Sequence, residues 1–276
     1  TFDVAETVNN DYTTTSSCDD GSNPASISLD PDEIVTCTFV NTIKRSTIII
    51  VKDTVPDDTT LFTFTSSTLP DANGASPGVT QLDDDGNAAN TFSNTETFTN
   101  LQPGTFDVAE TPNANYITTS SCTDGSPVTA IDLSPGESIT CTFVNTKKGS
   151  ITIVKDTVPN DSTLFTFTSV TLPDQNGASP GVTQLDDDGT TTPFSNTEIF
   201  SNLLPGTFDV AETANNDYTT TSSCDDGSNP ASIGLDPDET VTCTFLNTIK
   251  RGTIIIIKDT EPNDETDFVF AQNIDL

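Results

Sequence analysis

Three glutamates stand where a strand should carry an apolar residue. The heptapeptide Thr-Phe-Asp-Val-Ala-Glu-Thr occurs at Thr1–Thr7, Thr105–Thr111 and Thr207–Thr213. In an extended strand alternate side chains share a face, so Glu110 lies on the face of Phe106 and Val108, and Glu212 on that of Phe208 and Val210. Glu6 is related in the same way to Phe2 and Val4. A carboxylate on a buried face must find a partner or hold a proton. In either state it can do chemistry, because a buried carboxyl with a raised pKa donates and accepts protons near neutrality.

Two other polar residues follow the same rule. Lys52 ends a run in which Ile48 and Ile50 share its face, Lys155 follows Ile151 and Ile153, and Lys258 follows Ile254 and Ile256. Both faces of these runs begin apolar, so the side is less sharply set than for the glutamates, and a strand-end lysine reaching out to solvent is the ordinary alternative. Asn145 lies behind Cys141 and Phe143, Asn247 behind Cys243 and Phe245, and Asn41 behind Cys37 and Phe39. A turn or cap is the ordinary role for an asparagine at a strand end. The remaining six of the nine cations form the pairs Lys44-Arg45, Lys147-Lys148 and Lys250-Arg251.

The elements that must position these residues repeat. Asp53, Asp156 and Asp259 occupy the same point of Lys-Asp-Thr-x-Pro, which sets a period of 103 residues. Cutting after the basic pairs gives two complete units, 46–148 and 149–251. The segment 1–45 then reads as the C-terminal part of a preceding unit, and 252–276 as the opening of a following one. Within 46–148, strands are expected at Thr47–Asp53, Leu61–Ser66, Gly78–Leu82, Thr91–Leu101, Thr105–Thr111, Tyr116–Cys122, Thr129–Leu133 and Ser138–Asn145. Turn sequences separate them, among them Val55-Pro-Asp-Asp58, Asp83-Asp-Asp-Gly86 and Ser134-Pro-Gly-Glu137. Many short strands without helical periodicity indicate an all-β chain of tandem, Ig-like antiparallel β-sandwich domains. Only Thr146-Lys-Lys-Gly-Ser150 separates one unit from the next, so end-to-end units should form a stiff rod.

The three motifs carry a resemblance. Ile-Val-Lys-Asp in the first strand, then Leu-x-Pro-Gly-Thr-Phe-x-Val-x-Glu-Thr with a following Tyr, then a last strand ending Phe-Val-Asn, is similar to the CnaB-type (SpaA-like, prealbumin-like) domains of microbial surface adhesins and pilins. It covers both complete units and both fragments. The resemblance implies an isopeptide bond between Lys52 and Asn145 assisted by Glu110, and another between Lys155 and Asn247 assisted by Glu212. Glu6, Asn41 and Lys258 would be partial sets. The chemistry is self-consistent: burial lowers the lysine pKa and raises that of the glutamate, leaving a neutral amine to attack while the protonated carboxyl polarises the amide. The same three residues could instead form an unreacted buried ion pair hydrogen-bonded to Asn. The Cys pairs and acidic loops depart from the commonest pattern of that family.

Composition limits the function classes. The 276 residues carry a formal charge of −33, no His, Met or Trp, and 32% hydrophobic residues. Such figures usually mean disorder, but here the apolar residues gather in runs such as Leu61-Phe-Thr-Phe-Thr65 and Ile48-Ile-Ile-Val51. So few cations exclude a nucleic-acid partner, and no apolar run reaches the length of a membrane span. With neither a signal peptide nor an initiator Met, the chain is expected to be an internal or processed piece. The cysteines form pairs 19 residues apart, Cys18–Cys37, Cys122–Cys141 and Cys224–Cys243, which predicts disulfides within each unit and an oxidising compartment.

Asp53, Asp57, Asp58 and Asp83, Asp84, Asp85, with Asp156, Asp161 and Asp186, Asp187, Asp188 in the next unit, sit in loops that could meet and hold Ca2+, or simply form a solvated acidic surface. Asn160 in Asn160-Asp161-Ser162 is the one N-glycosylation sequon. Absence of histidine, pairing of the cysteines and repetition of every reactive residue argue against an enzyme acting on an external substrate. The expectation is an extracellular or cell-surface structural rod whose partners are neighbouring repeats and other copies in a fibre. The alternative is the stalk of an adhesin with its binding tip elsewhere.

Overall fold

The computed structural model describes residues 1–70, 78–87, 92–173, 181–263 and 265–271. It is all-β, and no helix among the described residues is long and apolar enough to cross a membrane. The first segment contributes β1 (Tyr12–Cys18) and β2 (Cys37–Ile43), an antiparallel pair. The first repeat contains β3 (Ser46–Val55), β4 (Asp58–Ser66), β5 (Gly78–Asp84), β6 (Thr95–Leu101), β7 (Gly104–Phe106), β8 (Ala109–Glu110), β9 (Tyr116–Cys122), β10 (Ile131–Leu133) and β11 (Ser138–Lys147). The second contains β12 (Gly149–Val158), β13 (Phe165–Ser169), β14 (Gly181–Leu185), β15 (Thr197–Leu203), β16 (Gly206–Phe208), β17 (Ala211–Glu212), β18 (Tyr218–Cys224), β19 (Ile233–Leu235) and β20 (Thr240–Ile249).

Each repeat builds the same layers. In the first, a four-stranded sheet of order β6-β3-β11-β9 faces β5-β4-β8, with β10-β7 as a further pair. In the second the corresponding sheets are β15-β12-β20-β18, β14-β13-β17 and β16-β19. The first and last strands of each repeat lie side by side and run parallel, β3 with β11 and β12 with β20, inside otherwise antiparallel sheets. A parallel pair needs a long crossover, and here the rest of the repeat is that crossover.

Period-two burial explains the strands. Along β3, Ser46, Ile48, Ile50, Lys52 and Thr54 are buried while their neighbours are partly exposed. Along β11, Ile139, Cys141, Phe143 and Asn145 point inward. Phe62, Phe64, Leu82, Val108 and Ile131 complete one core, and Phe165, Phe167, Leu185, Val210 and Ile233 belong to a separate one in the second repeat. Each such fully buried side chain contributes about 1.5–3 kcal/mol relative to exposure. Edge-to-face ring pairs, Phe62 with Tyr116 at 5.2 Å and Phe64 with Phe143 at 5.0 Å, set the spacing of the layers.

Several expectations are refined. The run Thr105–Thr111 is two short strands, because Asp107 leaves the ladder: its carboxylate accepts bonds from the Ser67 amide and the Ser67 and Thr68 hydroxyls. The chain thereby passes from pairing with β10 to pairing with β4. Thr91 lies outside the described residues, and the strand expected there begins at Thr95. Ile254–Ile257 form no strand and are exposed, as a strand needs a neighbour for its ladder bonds and none of the described residues supplies one. Phe2 and Val4, expected on a buried face, are also exposed, since among the described residues β1 and β2 have no facing sheet.

Candidate functional site

Lys52, Glu110 and Asn145 meet between the two sheets of the first repeat. β3 and β11 supply the lysine and asparagine on one inward face: Lys52 is opposite Phe143, and Asn145 opposite Thr54. The glutamate comes from the facing sheet, where Glu110 on β8 pairs with Phe64 on β4. Lys52 and Asn145 are both 0% exposed. Asn145 Nδ2 donates to Glu110 Oε1 at 2.6 Å. Glu110 Oε2 and Asn145 Oδ1 are buried without a hydrogen-bond partner, a costly state for two acceptors.

The lysine has no carboxylate within ion-pair distance; among the described residues the ion pairs within 4.0 Å are both made by Lys147. Lys52 Nζ instead donates to the carbonyl oxygens of Asp53 at 2.7 Å and Phe143 at 3.2 Å, and lies 4.4 Å from the centre of the Phe62 ring. Burial pushes its pKa below the ordinary lysine value, against the opposing pull of Glu110 and nearby aspartates. Burial likewise pushes Glu110 above the ordinary carboxylate range, against the lysine charge and the Asn145 bond. Both shifts favour a neutral amine beside a protonated acid.

The second repeat reproduces the site. Lys155 and Asn247 are 0% exposed, and Asn247 Nδ2 donates to Glu212 Oε1 at 2.5 Å. Lys155 Nζ reaches the carbonyls of Asp156 at 2.7 Å and Phe245 at 3.0 Å, over the Phe165 ring at 4.3 Å. Again burial lowers the lysine and raises the glutamate, and Glu212 Oε2 and Asn247 Oδ1 lack partners. In the first segment Asn41 Nδ2 is bonded to Glu6, but both are exposed and no lysine joins them. Lys258 is exposed and donates to its neighbour's carbonyl, at Asp259.

All three cysteine pairs are disulfides, Cys18–Cys37, Cys122–Cys141 and Cys224–Cys243. Each joins directly opposed residues of adjacent strands. The acidic residues have two readings, and no group of three or more carboxylates converges on a metal-sized site among the described residues. Their oxygens hold the loops instead. Asp84 accepts the Thr54 amide at 2.7 Å and Asp187 the Thr157 amide at 2.9 Å, while Asp85 and Asp188 cap the turns at Asn87 and Thr190. Asp58 and Asp161 accept the hydroxyls of Tyr116 and Tyr218. Alternation in β5 sends adjacent aspartates to different sides. Asp53, Asp57, Asp83, Asp156 and Asp186 complete the set without forming a cluster among the described residues, Asp83 and Asp186 being buried. Asn160 is exposed in the loop between β12 and β13.

Sequence reasoning missed the tyrosine–aspartate bonds. The signal was available, since Asp58 and Asp161 stand at one point of the repeat and Tyr116 and Tyr218 at another.

Residues 52–143 match the SpaA_2 family, a prealbumin-like fold domain. No curated protein sequence matches the chain. Among solved structures the chain is similar to the Bacillus anthracis TIE protein, at 17% identity over 78% of this chain and 37% of that one, with a TM-score of 0.32. It is also similar to a major pilin protein of Streptococcus pyogenes, at 15% identity over 74% of this chain and 97% of that one, TM-score 0.30. The pilus adhesin SpaC of Lactobacillus rhamnosus GG is matched at 14% identity over 80% of this chain, TM-score 0.30, and the chain spans only 31% of its length. The segment 52–143 is thus a prealbumin-like β-domain, and the second repeat has the same strand order.

Proposed function

We propose that the chain is part of an extracellular structural protein, a rod of tandem β-sandwich units in which each complete unit staples its first strand to its last. The complete units are 46–148 and 149–251, and 1–45 and 252–276 belong to neighbouring units. The observation that carries this reading is the grouping of fully buried Lys52 and Asn145 with half-buried Glu110, with Asn145 Nδ2 2.6 Å from Glu110 and both residual oxygens orphaned. A structural ion pair would place the lysine on the carboxylate; here the amine is held by two carbonyls.

In the proposed reaction the neutral Lys52 amine attacks Asn145 Cγ. Protonated Glu110 donates to the amide oxygen and stabilises the tetrahedral intermediate. It then relays a proton from the attacking nitrogen to Nδ2. The Nζ–Cγ bond forms, the Cγ–Nδ2 bond breaks, and ammonia leaves. A surface groove of about 450 Å³ lined by Glu110, Tyr116 and Phe143 offers a way out. The reaction runs once per unit and has no external substrate.

Intact mass of the full chain with its cysteines reduced tests the reading. Loss of one ammonia per complete unit is expected, and Glu110→Ala should abolish the loss in the first unit alone. The unmodified mass after prolonged incubation of folded protein would rule the crosslink out.

A further inference from the structure

Both ion pairs among the described residues belong to Lys147, at the end of β11. Its Nζ is 2.9 Å from Asp238 Oδ2 in the second repeat and 3.6 Å from Asp58 Oδ2 in its own. The Asp238 amide also donates to the Lys147 carbonyl, at 3.4 Å. Asp58 is fixed in turn by the Tyr116 hydroxyl and, at 2.5 Å, the Thr60 amide. Asp238 belongs to the turn Asp236–Glu239, which is closed on itself by the Glu239 carboxylate accepting the Asp236 amide at 2.7 Å.

The residue types at this contact differ together from those at the preceding boundary, Ile43 and Gly136. Lys147 stands in Asn145-Thr-Lys147 where Asn41-Thr-Ile43 and Asn247-Thr-Ile249 carry isoleucine. Asp238 occupies a left-handed position, φ 63°, as Asp32 does in the first segment at φ 60°, whereas the first repeat has Gly136 there at φ 75°. An aspartate there carries strain that glycine would avoid, and at Asp238 the carboxylate meets Lys147. A single residue, Lys148, separates β11 from β12, and its side chain and amide are tied back to the carbonyls of Ala114 and Asn115. Gly149 follows, where an added Cβ would come within 2.6 Å of the Glu239 carbonyl oxygen.

We propose that the turn Asp236–Glu239 is a docking surface for the cationic end of the preceding unit, and that Lys147, shared between Asp58 and Asp238, sets the angle of this joint. The proposal rests on the reading of the chain as a rod of units. It makes the joint specific, since the corresponding contact at the preceding boundary is the aliphatic stem of Lys44 against Gly136.

Electron–electron distance measurements on the full chain, with spin labels attached through azide-bearing residues at exposed Thr119 and Thr221, test it. The wild type in low salt should give one narrow distance peak. Lys147→Ile, the residue found at both equivalent positions, should enlarge the population outside that peak roughly two- to five-fold, the scale of an exposed ion pair. Asp238→Gly should do the same, the double variant should do no more than either, and about 1 M salt should reproduce the effect in the wild type. Melting temperature and crosslink mass, read on the same samples, should stay at wild-type values. A narrow wild-type peak left unchanged by Lys147→Ile would overturn the clasp and leave the rod standing, whereas a broad wild-type distribution would overturn both.

Discussion

At the scale of the residue, the glutamate is legible as an anomaly because strand parity is strict. Parity says that Glu110 is buried, and burial raises its pKa while lowering that of Lys52. The consequence can be isolated by Lys52→Met with Lys155→Met, which blocks the crosslink and removes the charges that oppose the upward shifts. A carboxyl whose folded pKa is raised binds more protons folded than unfolded. Its contribution is therefore complete below the ordinary value of 4.5 and is lost as pH rises through the raised folded value. The urea midpoint of this variant should fall as pH is raised from about 4.5 towards neutrality. Adding Glu110→Gln and Glu212→Gln should flatten that part of the dependence, leaving only the self-repulsion of the acidic surface. Identical pH profiles for the two proteins would mean that the glutamates titrate as exposed groups.

At the scale of the element, β9 is the least secured strand. It is an edge strand, with residues Ile117–Ser121 exposed on both faces and only Tyr116 and Cys122 buried at its ends. Its attachments are the ladder to β11, the Cys122–Cys141 disulfide and, at its first residue, Tyr116, which packs on Phe62 and donates its hydroxyl to Asp58. Replacing both cysteines by serine should cost the first repeat about 3 kcal/mol, the loop-closure value for a crosslink of this span. Hydrogen exchange should show Ile117–Ser121 losing protection first while the amides of β3 keep theirs. Strands, cysteine pairs and the three site residues were readable because each rests on a local period or a fixed spacing. The parallel neighbouring of β3 and β11 was not, since no local pattern states which strands meet across the rest of a repeat. Nor was the break at Asp107, whose cause is a hydroxyl and amide cluster at Ser67 and Thr68. The acidic loops left two readings open for a related reason: proximity in sequence says nothing about whether a carboxylate faces a cation or the amide of its own turn.

At the scale of the whole molecule, the two strands that carry the chain into and out of a repeat are the two that the proposed bond joins. The chain enters the first repeat at Ser46 on β3 and leaves at Lys147 on β11, and the strands are parallel neighbours. Pulling the ends apart loads their ladder in shear. With Lys52 bonded to Asn145, the load crosses after a short stretch of β3, and the residues between 52 and 145 lie outside its path. Single-molecule extension of the full chain should then show no unfolding step from either complete repeat. Lys52→Met should restore one step of roughly 300 Å, the contour of the repeat less the loop closed by Cys122–Cys141, at about 3.5 Å per residue. Reductant should lengthen that step by roughly 65 Å, as the 19-residue span of the disulfide is released at the same extension per residue. The bond would thus bear the load and the disulfide would not, because the disulfide lies inside the segment that the bond shields. Equal steps in wild type and Lys52→Met would show that force runs through the ladder alone.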